Sequence, residues 1–370
     1  MLDKAYQADL YEKEISQKWM DSGVFRPQTG NGRHINVLPP PNANGAMHIG
    51  HASGYVIMDI AGRYARMQGK ETLLLPGKDH AGILTQTVFE KKLAREEGIM
   101  NRNEMSRAVF YQRCYDFCID SAATMRSQEK AIGLSADWSR EKFTLDPVIV
   151  PEVLKTFVKM YDEGLAYRGK RIINWCPFCQ TAISDIEVEH QEENSKLWEL
   201  KYPLVDQSGY ISVETTRPET MLGDTAVAVH PEDPRFQALI GKKVLLPIMN
   251  REIPIIADHE VEREFGSGAV KITPAHDPVD YKMGIKHNLA MIQVIGPDGK
   301  MTAEAGRFAG MDSNTARQEV LTELEKLGVL GHIKDHLKPM SRHDRCHNTV
   351  EYLLSDQWWI NVDHPSFSLK

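Results

Sequence analysis

The pattern of apolar and polar positions predicts a first part of the chain that is rich in helices. Apolar residues recur at helical spacing within residues 6–20, and Gly23 follows as the predicted end of that helix. Further helices are predicted over residues 104–132 and 148–163. Between the helix at 6–20 and the helix at 104–132 lie a short apolar run, a loop and a long helical stripe. This order predicts the opening of a nucleotide-binding α/β unit.

The strand of this unit is predicted as a buried run from Ile35 to Leu38, and it ends at three prolines, which cannot donate to a sheet ladder. A loop rich in glycine and asparagine follows. The helical stripe after the loop consists of Val56, Ile57, Ile60, Ala61, Tyr64 and Met67. The segment ETLLLPGKDHAG, at 71–82, repeats the form with a short apolar strand and a polar turn.

From about residue 198 the pattern changes to short β-branched runs separated by turn residues, which predicts a β-rich domain. We place the boundary between the two parts near 175–197. Proline followed by Asp-Gly predicts a turn at 296–300. A last helix is predicted over about 313–327, ending at Gly328.

Composition narrows the class of protein. The chain has 370 residues, of which 42% are hydrophobic, and no apolar run of about 18 residues that would predict a membrane span. Its first residues are charged and helical, unlike a secretory signal. Five cysteines do not make a disulfide scaffold and suit a reducing cytoplasm. With a net charge of −7, any RNA recognition would have to depend on local patches and shape.

Three groups of residues could carry chemistry. His48-Ile49-Gly50-His51 stands at the predicted start of the long helix, where unpaired N–H groups and the helix dipole favour an anion. Taken alone, this motif is more simply two surface histidines near a helix cap. Asp277-Pro-Val-Asp280 is a helix-start pattern, with Asp277 as N-cap and proline at the first helical position. Lys271 and Thr273, two apart on one strand, should point to the same side.

The third group has the spacing of a metal site. Cys176-Pro-Phe-Cys179 offers two thiolates, and a distant Cys/His segment adds Cys346 with either His343 or His347, which suits tetrahedral zinc. A redox pair is the rival interpretation, although no helix obviously starts at Cys176. Unligated buried thiols are the ordinary alternative. Separately, Cys114 and Cys118 lie four apart among apolar residues and are predicted to belong to a core.

The segments PPPNANGAMHIGH (39–51) and LLLPGKDHAGILTQ (73–86) together resemble the valyl-tRNA synthetase family of class I aminoacyl-tRNA synthetases. Blocks such as RIINWCPFCQTAISDIEVEH, VETTRPETMLGDTAVAVHP and GSGAVKITPAHDPVDYKMGIKHNL follow in family order along nearly the whole chain. The resemblance implies an α/β fold: the first half of a Rossmann-like nucleotide-binding domain, 1–174, and a zinc-knuckle connection, 175–197. It also implies an inserted β-rich editing domain, 198–332, and a return segment, 333–370.

The resemblance implies roles for residues in the first part. His48 and His51 would stabilise the phosphates of ATP, bound with Mg²⁺, and Gly50 would pack against adenine. The small pocket for valine would be lined by Pro41 and Asn42. Its α-ammonium group would bind Asp79, while His80 would support that turn; a turn carboxylate that bonds its own backbone is the ordinary interpretation of Asp79.

The resemblance implies a second pocket that hydrolyses misacylated threonyl-tRNA(Val). Asp280 would anchor the α-ammonium group of the amino acid there. The other residues implied are Arg217 and Thr220, for the 3′-terminal nucleotide, and Lys271, Thr273 and Asp277. Such a pocket is needed because a hydrophobic site rejects a near-isosteric hydroxyl analogue only weakly, valine against threonine being the known case.

The implied partners are tRNA(Val), valine and ATP, the implied structural metal is zinc, and the implied enzyme is a cytoplasmic monomer. The family's lysine-rich ATP loop and anticodon-binding domain have no counterpart in the sequence, so we expect this chain to be an N-terminal piece that cannot aminoacylate alone. Valine-dependent pyrophosphate exchange tests that expectation. An isoleucyl-type enzyme and a free-standing editing hydrolase are alternatives. A non-catalytic zinc-containing tRNA-binding module is another, using the basic run of Lys334, Lys338, Arg342 and Arg345, which is otherwise a solvated linker.

Overall fold

The computed structural model describes residues 6–100 and 102–364, and the chain divides into two compact units, 1–163 and 164–370. The helices are α1 Ala8–Ser22, α2 Ile49–Met67, α3 Ile83–Glu97, α4 Arg107–Ala131, α5 Val150–Asp162, α6 Pro278–Lys286 and α7 Ser313–Lys326. Among the residues described, none of the helices has the length and apolar character that crossing a membrane requires.

The strands of the first unit are β1 Arg33–Val37, β2 Glu71–Leu75, β3 Gly77–Lys78 and β4 Lys142–Phe143. Those of the second unit are β5 Ala166–Cys176, β6 Thr181–Ile183, β7 Val188–Pro203, β8 Tyr210–Thr215, β9 Ala226–Val229, β10 Lys243–Leu246, β11 Arg251–Ala257, β12 Ala269–Ile272, β13 Leu330–His343 and β14 Glu351–Ile360.

The first unit has the predicted strand–loop–helix–strand order. Strand β1 pairs in parallel with β2, and α2 connects them. A cluster of buried side chains that includes Leu38, Tyr55 and Leu74 packs where this helix meets the sheet. The predicted helices α1, α4 and α5 are present, and α1 ends at Gly23 in the left-handed conformation. Helix α3 was not predicted, because it begins directly at the polar turn that follows β2.

Two predictions about the first unit are wrong in their choice of face. Of the run predicted as buried, Leu38 is in the core, whereas Ile35 of β1 is 62% exposed. On α2, the predicted apolar stripe is largely exposed, with Ile57 at 68%, and the buried positions include Asp59 and Gly62. The small residue decides the packing, because a Cβ at Gly62 would lie 2.8 Å from the side chain of Leu74.

The second unit is β-rich, as predicted, but its strands begin at Ala166 rather than near residue 198. Three sheets have the orders β10-β11-β9-β12, β13-β7-β8 and β14-β5-β6. The long strand β7 runs through residue 197, and its pairing with β13 extends from Leu200 to Val188. The predicted turn at 296–300 is closed by a hydrogen bond from the Gly299 N–H to the Gly296 carbonyl.

The main core of the second unit lies among β7 to β12 and α7, which spans nearly the predicted range and is followed by Gly328 at positive φ. The predicted domain limits at 174, 197 and 332 stay predictions, and the return segment 333–370 includes residues 365–370, which lie outside the described residues. Cys118 is buried and Cys114 half-buried in apolar clusters of the first unit, which confirms their predicted core position.

Candidate functional site

The two histidines of the first motif form the N-terminal cap of α2. His48 is the N-cap residue, and its Nδ1 accepts a hydrogen bond from the Gly50 N–H at 3.1 Å. The His48 N–H in turn donates to Nδ1 of His51 at 3.4 Å, and the two rings lie 3.9 Å apart between centroids. Partial burial and the neighbouring His48 lower the pKa of His51 below its ordinary value. This lowered pKa favours the neutral form of the His51 ring, consistent with its accepting role.

The segment predicted to hold an amino acid lies beside the end of β2. The Asp79 N–H donates to the Pro41 carbonyl at 2.9 Å, and Asn42 forms an isolated parallel bridge with Asp79. Oδ1 of Asp79 accepts hydrogen bonds from the Ala81 N–H at 3.1 Å and from the Thr144 hydroxyl at 3.2 Å. The ordinary turn interpretation of Asp79 is therefore present in the structure, together with the predicted proximity of Pro41 and Asn42.

His80 supports this turn, as predicted. Its backbone N–H donates to Oγ1 of Thr144 at 2.9 Å, and its Nδ1 lies 2.6 Å from the same oxygen. Directly before Asp79 stands Lys78, whose buried ammonium donates to Glu129 at 2.7 Å and to Glu141 at 3.1 Å. Sequence reasoning missed this buried triad, because its members lie far apart in the chain and an isolated lysine carries no pattern.

The four predicted metal ligands come together in the second unit. Ligand atoms of Cys176, Cys179, His343 and Cys346 all lie within 4.8 Å of one another, and no other such group of His, Cys, Asp or Glu occurs in the described residues. Sγ of Cys346 lies 3.5 Å from Sγ of Cys176 and 3.3 Å from Nδ1 of His343. Tetrahedral ligands about 2.0–2.3 Å from zinc stand about 3.5–3.8 Å apart, so these residues fit that metal.

The geometry selects His343 rather than His347 as the fourth ligand. His343 is fully buried, whereas His347 is exposed and has positive φ, and Nδ1 of its ring lies 4.0 Å from the Glu189 carboxylate. Strand β5 ends at Cys176 in a tight turn, so neither thiol stands at a helix N-terminus as a thioredoxin-like pair would. Nε2 of His343 lies 3.5 Å from Oδ1 of Asp344 without a hydrogen bond between them.

A second candidate site lies where β12 leads into α6. Asp277 is the N-cap of α6, and its carboxylate accepts from the N–H groups of Val279 and Asp280, which confirms the predicted helix start. Oδ2 of Asp280 accepts from the Thr273 N–H at 2.8 Å. Burial raises the pKa of Asp280 to about 7, and the negative charge of Asp277 acts in the same direction. A cation beside Asp280 would therefore lower this pKa and favour the ionised carboxylate.

Lys271 is the centre of a buried polar network beside Asp280. Its ammonium donates to Oγ1 of Thr273 at 2.6 Å, to Oγ1 of Thr220 at 3.2 Å and to Oδ1 of Asp224 at 3.4 Å. The Thr273 hydroxyl donates to the same Asp224 oxygen at 2.5 Å. The predicted common side of Lys271 and Thr273 is therefore confirmed.

The sequence analysis missed two members of this network, Asp224 and Tyr202. Oδ2 of the fully buried Asp224 accepts from the Tyr202 hydroxyl at 2.7 Å, so both carboxylate oxygens are hydrogen-bonded. Burial raises the pKa of Asp224, against the opposing influence of Lys271. The available signal was the position of Asp224 itself, a carboxylate within the apolar run from Met221 to Val229.

Arg217, predicted for the same pocket, is held by carboxylates on both sides. Its Nε donates to Glu219 at 3.0 Å and its Nη2 to Glu351 at 2.6 Å. Glu219 also accepts two hydrogen bonds from Arg317 of α7. Although burial acts in the opposite direction, the two arginines lower the pKa of Glu219 to about 2. This ion-pair cluster fixes the start of the segment that carries Thr220.

The buried imidazole of His276 orders the segment between Thr273 and Asp280. Its Nε2 accepts from the Val294 N–H at 2.8 Å, and Nδ1 lies 3.2 Å from the Tyr352 carbonyl. Burial lowers the pKa of His276 to about 3, so this ring is a neutral structural bridge.

Residues 14–368 match the family model described as tRNA synthetases class I (I, L, M and V). The chain belongs to the class I tRNA synthetases. Valine–tRNA ligases of Dehalococcoides mccartyi and Petrotoga mobilis are each 46% identical to it, over 97% and 98% of this chain. The chain spans 41% of the length of each of these relatives. A more distant likeness is LeuRS of Agrobacterium radiobacter K84, solved with tRNA and LeuAMS, with TM-score 0.45 and 18% identity, covering 95% of this chain and 50% of that one.

Within this class I synthetase chain, the basic run is neither a solvated linker nor a uniform basic patch. It starts on β13, where the ammonium of Lys334 pairs with Glu214 and the guanidinium of Arg342 with Glu193. Arg345, just beyond β13, pairs with Glu187. These three residues are therefore ion-paired within the second unit, and RNA binding by the four residues stays a prediction.

Proposed function

We propose that this chain is the N-terminal portion of a valine–tRNA ligase, with its activation site in residues 1–174 and an editing domain in residues 198–332, connected through 175–197 and 333–370. The complete enzyme would activate valine with ATP and transfer it to tRNA(Val) in the cytoplasm. The observation that carries the proposal is the 46% identity to valine–tRNA ligases over nearly the whole chain. The relatives named above are both valine–tRNA ligases, which favours this proposal over an isoleucyl-type enzyme.

In the activation site, His48 and His51 would contact ATP phosphates at the N-terminus of α2, where the helix dipole favours anions. Gly50 would give the adenine ring close access to the backbone. Asp79 would bind the α-ammonium group of valine, with Pro41 and Asn42 beside it. The support is that these segments are hydrogen-bonded neighbours, and that every hydrogen bond of the Asp79 carboxylate to a described residue uses Oδ1. Oδ2 is available to a ligand.

In the editing domain, water would attack the ester carbonyl of threonyl-tRNA(Val). The bond to the ribose oxygen breaks, releasing threonine and a free 3′-terminal hydroxyl. Asp280 would anchor the α-ammonium group, since its carboxyl is buried and lies beside the Lys271 network. Arg217 and Thr220 would hold the terminal nucleotide, and Asp277 keeps the first turn of α6 in place.

Discrimination against valine follows from the same network. Lys271 and Thr273 are polar groups in a buried pocket, and a threonine hydroxyl can hydrogen-bond with them. A valine methyl group in its place forms no hydrogen bond with the network, whereas a threonine hydroxyl gains one, worth about 0.5–1.5 kcal/mol. The pocket would therefore prefer the amino acid that the activation site fails to reject.

The Cys₃His cluster would hold one structural Zn²⁺ through Cys176, Cys179, His343 and Cys346. When bound, the metal supplies tetrahedral crosslinking and no catalysis. It would connect the end of β5 and its turn to the end of β13, two segments far apart in sequence. The buried side chains that pack around the cysteines of the cluster are those of Ile183 and Val350.

Deacylation of threonyl-tRNA(Val) by the 370-residue chain, without ATP, tests the editing proposal. We expect hydrolysis by the parent and loss of about 100-fold or more in Asp280→Ala, because the ammonium anchor is removed. Asp335→Ala, an exposed carboxylate paired with Lys196, is the matched control and should retain the parent rate. Equal rates in the parent and in Asp280→Ala, with both proteins folded, would contradict the assigned pocket.

A further inference from the structure

One of the four cations of the basic run differs from the other three in its ion pairing. Lys334, Arg342 and Arg345 each pair with a glutamate, as described above. Lys338 lies on the same strand, β13, and its ammonium makes no hydrogen bond or ion pair to any residue in the described part of the chain. Lys338 is nevertheless half-buried. A half-buried ammonium without a partner is costly unless something outside the chain binds it.

The surroundings of Lys338 are those of an anion site. The charged groups that act on it are Arg217, Glu219, Arg317 and Glu351, the ion-pair cluster beside the editing pocket. Three cations thus face only two carboxylates, and both carboxylates are already used by the arginines. Burial, together with the two guanidinium groups, lowers the pKa of Lys338 to about 8. An anion bound at this point would favour the charged ammonium.

The cluster also leaves donors available. Arg217 uses Nε and Nη2 for its carboxylate partners, whereas its Nη1 donates to none of the described residues. A guanidinium has five N–H donors, so Arg217 can bind an external oxygen without breaking either ion pair. Its side chain remains one-fifth exposed, which leaves a path for a ligand.

A chain of contacts leads from this cluster to the pocket for the ester. The Arg217 carbonyl accepts from the Thr220 hydroxyl at 3.0 Å, and Oγ1 of Thr220 lies 3.2 Å from the ammonium of Lys271. In an esterified RNA 3′ end, the nearest anion to the ester is the phosphodiester on the 5′ side of the terminal nucleoside, because the amino acid carboxylate is consumed in the ester.

We propose that Lys338 and the free Nη1 edge of Arg217 form a phosphate-binding site for the phosphodiester that precedes the 3′-terminal nucleotide of tRNA. This inference rests on the proposed editing function and adds the group that positions the RNA end. Lysine acts as a point charge toward phosphate, and contacts of this kind set the position of a nucleic acid without reading its sequence. The phosphate of an aminoacyl-adenylate has the same chemistry and is the second source.

Binding of an uncharged hairpin RNA with a single-stranded 3′ CCA end, measured by fluorescence anisotropy over a range of salt concentrations, tests the site in the full 370-residue chain. We expect Lys338→Gln to weaken binding about 10-fold and to reduce the slope of log K against log salt by about 0.7, the value for one phosphate contact on a single strand. Lys338→Arg should restore both. The matched control Lys334→Gln, on the same strand but ion-paired, should bind like the parent.

Unchanged binding by Lys338→Gln, or an equal loss in Lys334→Gln, would overturn the phosphate site. AMP as a competitor separates the two sources: displacement of RNA by AMP that depends on Lys338 assigns the site to an adenylate phosphate also, and no displacement assigns it to RNA alone. The readout needs no hydrolysis. Unchanged RNA binding with intact deacylation would therefore reject this site and leave the editing proposal standing, whereas Lys338-dependent binding without deacylation would reject the editing proposal alone.

Discussion

The backbone N–H of Thr273 donates to Oδ2 of Asp280 at 2.8 Å, and this hydrogen bond connects the end of β12 to the first turn of α6. It places a buried carboxyl next to the Lys271 network. One hydrogen bond does not offset the cost of burying the charge, since the pKa of Asp280 is still raised to about 7. An ammonium group that enters the pocket would therefore stabilise the ionised form of this carboxyl.

The first prediction concerns Asp280 and the pH dependence of stability. A carboxyl whose pKa is higher in the folded than in the unfolded chain stabilises the fold below its unfolded pKa, near 4, and this contribution is lost as the pH rises through 7. We expect the parent to lose about 1–3 kcal/mol relative to Asp280→Asn between about pH 5 and pH 8. Urea denaturation at both pH values measures this difference. Asp335→Asn is the exposed control, and parallel profiles for the parent and Asp280→Asn would disprove the prediction.

The second prediction concerns Asp224, the only carboxylate that pairs with Lys271 among the described residues. Asp224→Asn keeps the shape of the side chain but leaves the buried ammonium without a counter-charge, which should cost about 3 kcal/mol. We also expect deacylation to fall, because Lys271 and Thr273 lose their common acceptor.

A double-mutant cycle separates coupling from general damage to the fold. Asp224→Asn combined with Lys271→Met should lose clearly less stability than the sum of the two single variants, since the pair interacts directly. Strictly additive losses, measured by urea denaturation, would show that the two residues are energetically independent.

The sequence predicted where helices and strands form better than it predicted which face of each one is buried. Apolar spacing identified α2 and its end at Met67, but it assigned the stripe containing Ile57 to the core, although the structure exposes that stripe. Periodicity gives the angular position of an apolar face and does not say which neighbour covers it. The buried face depends on the close approach between Gly62 and Leu74, residues from different elements.

The candidate sites show the same limit. Short motifs located Asp79, Asp277 and the two ends of the metal cluster, because turns, caps and CxxC spacing are local signals. Partners brought in by the sheet were not predictable, such as Tyr202 against Asp224 or Glu129 against Lys78. The choice of His343 over His347 likewise required the fold, since both neighbour Cys346 closely in sequence.

The third prediction concerns the metal. Purified under reducing conditions, the chain should contain about one zinc per molecule, and a chelator should lower its thermal midpoint, because metal binding adds to folding free energy. His343→Ala and Cys346→Ser should lose the metal. The matched controls His347→Ala and Cys114→Ser should retain it, as neither side chain belongs to the cluster. Metal analysis of the four variants decides the ligand set, and loss of zinc in His347→Ala would contradict it.

The last prediction concerns the buried ion pair next to Asp79. Lys78→Met leaves Glu129, which is 1% exposed, without its nearest cation, and this should cost about 3–5 kcal/mol of stability near pH 8. Burial already raises the pKa of Glu129 in the parent. Without Lys78 the carboxyl would protonate more easily, so the loss should shrink as the pH falls toward 5. Urea denaturation at both pH values measures it, with exposed Lys70→Met as the control.

The double variant Lys78→Met/Glu129→Leu distinguishes an unpaired charge from a disturbed fold. If the penalty comes from the uncompensated carboxylate, removing that carboxylate should recover part of the lost stability and remove the pH dependence. Hydrogen exchange at the Asp79 and Ala81 amides should increase in Lys78→Met and return toward the parent rate in the double variant, because these amides lie in the turn that Lys78 precedes. Equal stability of Lys78→Met and Lys70→Met would show that the buried pair does not hold this turn.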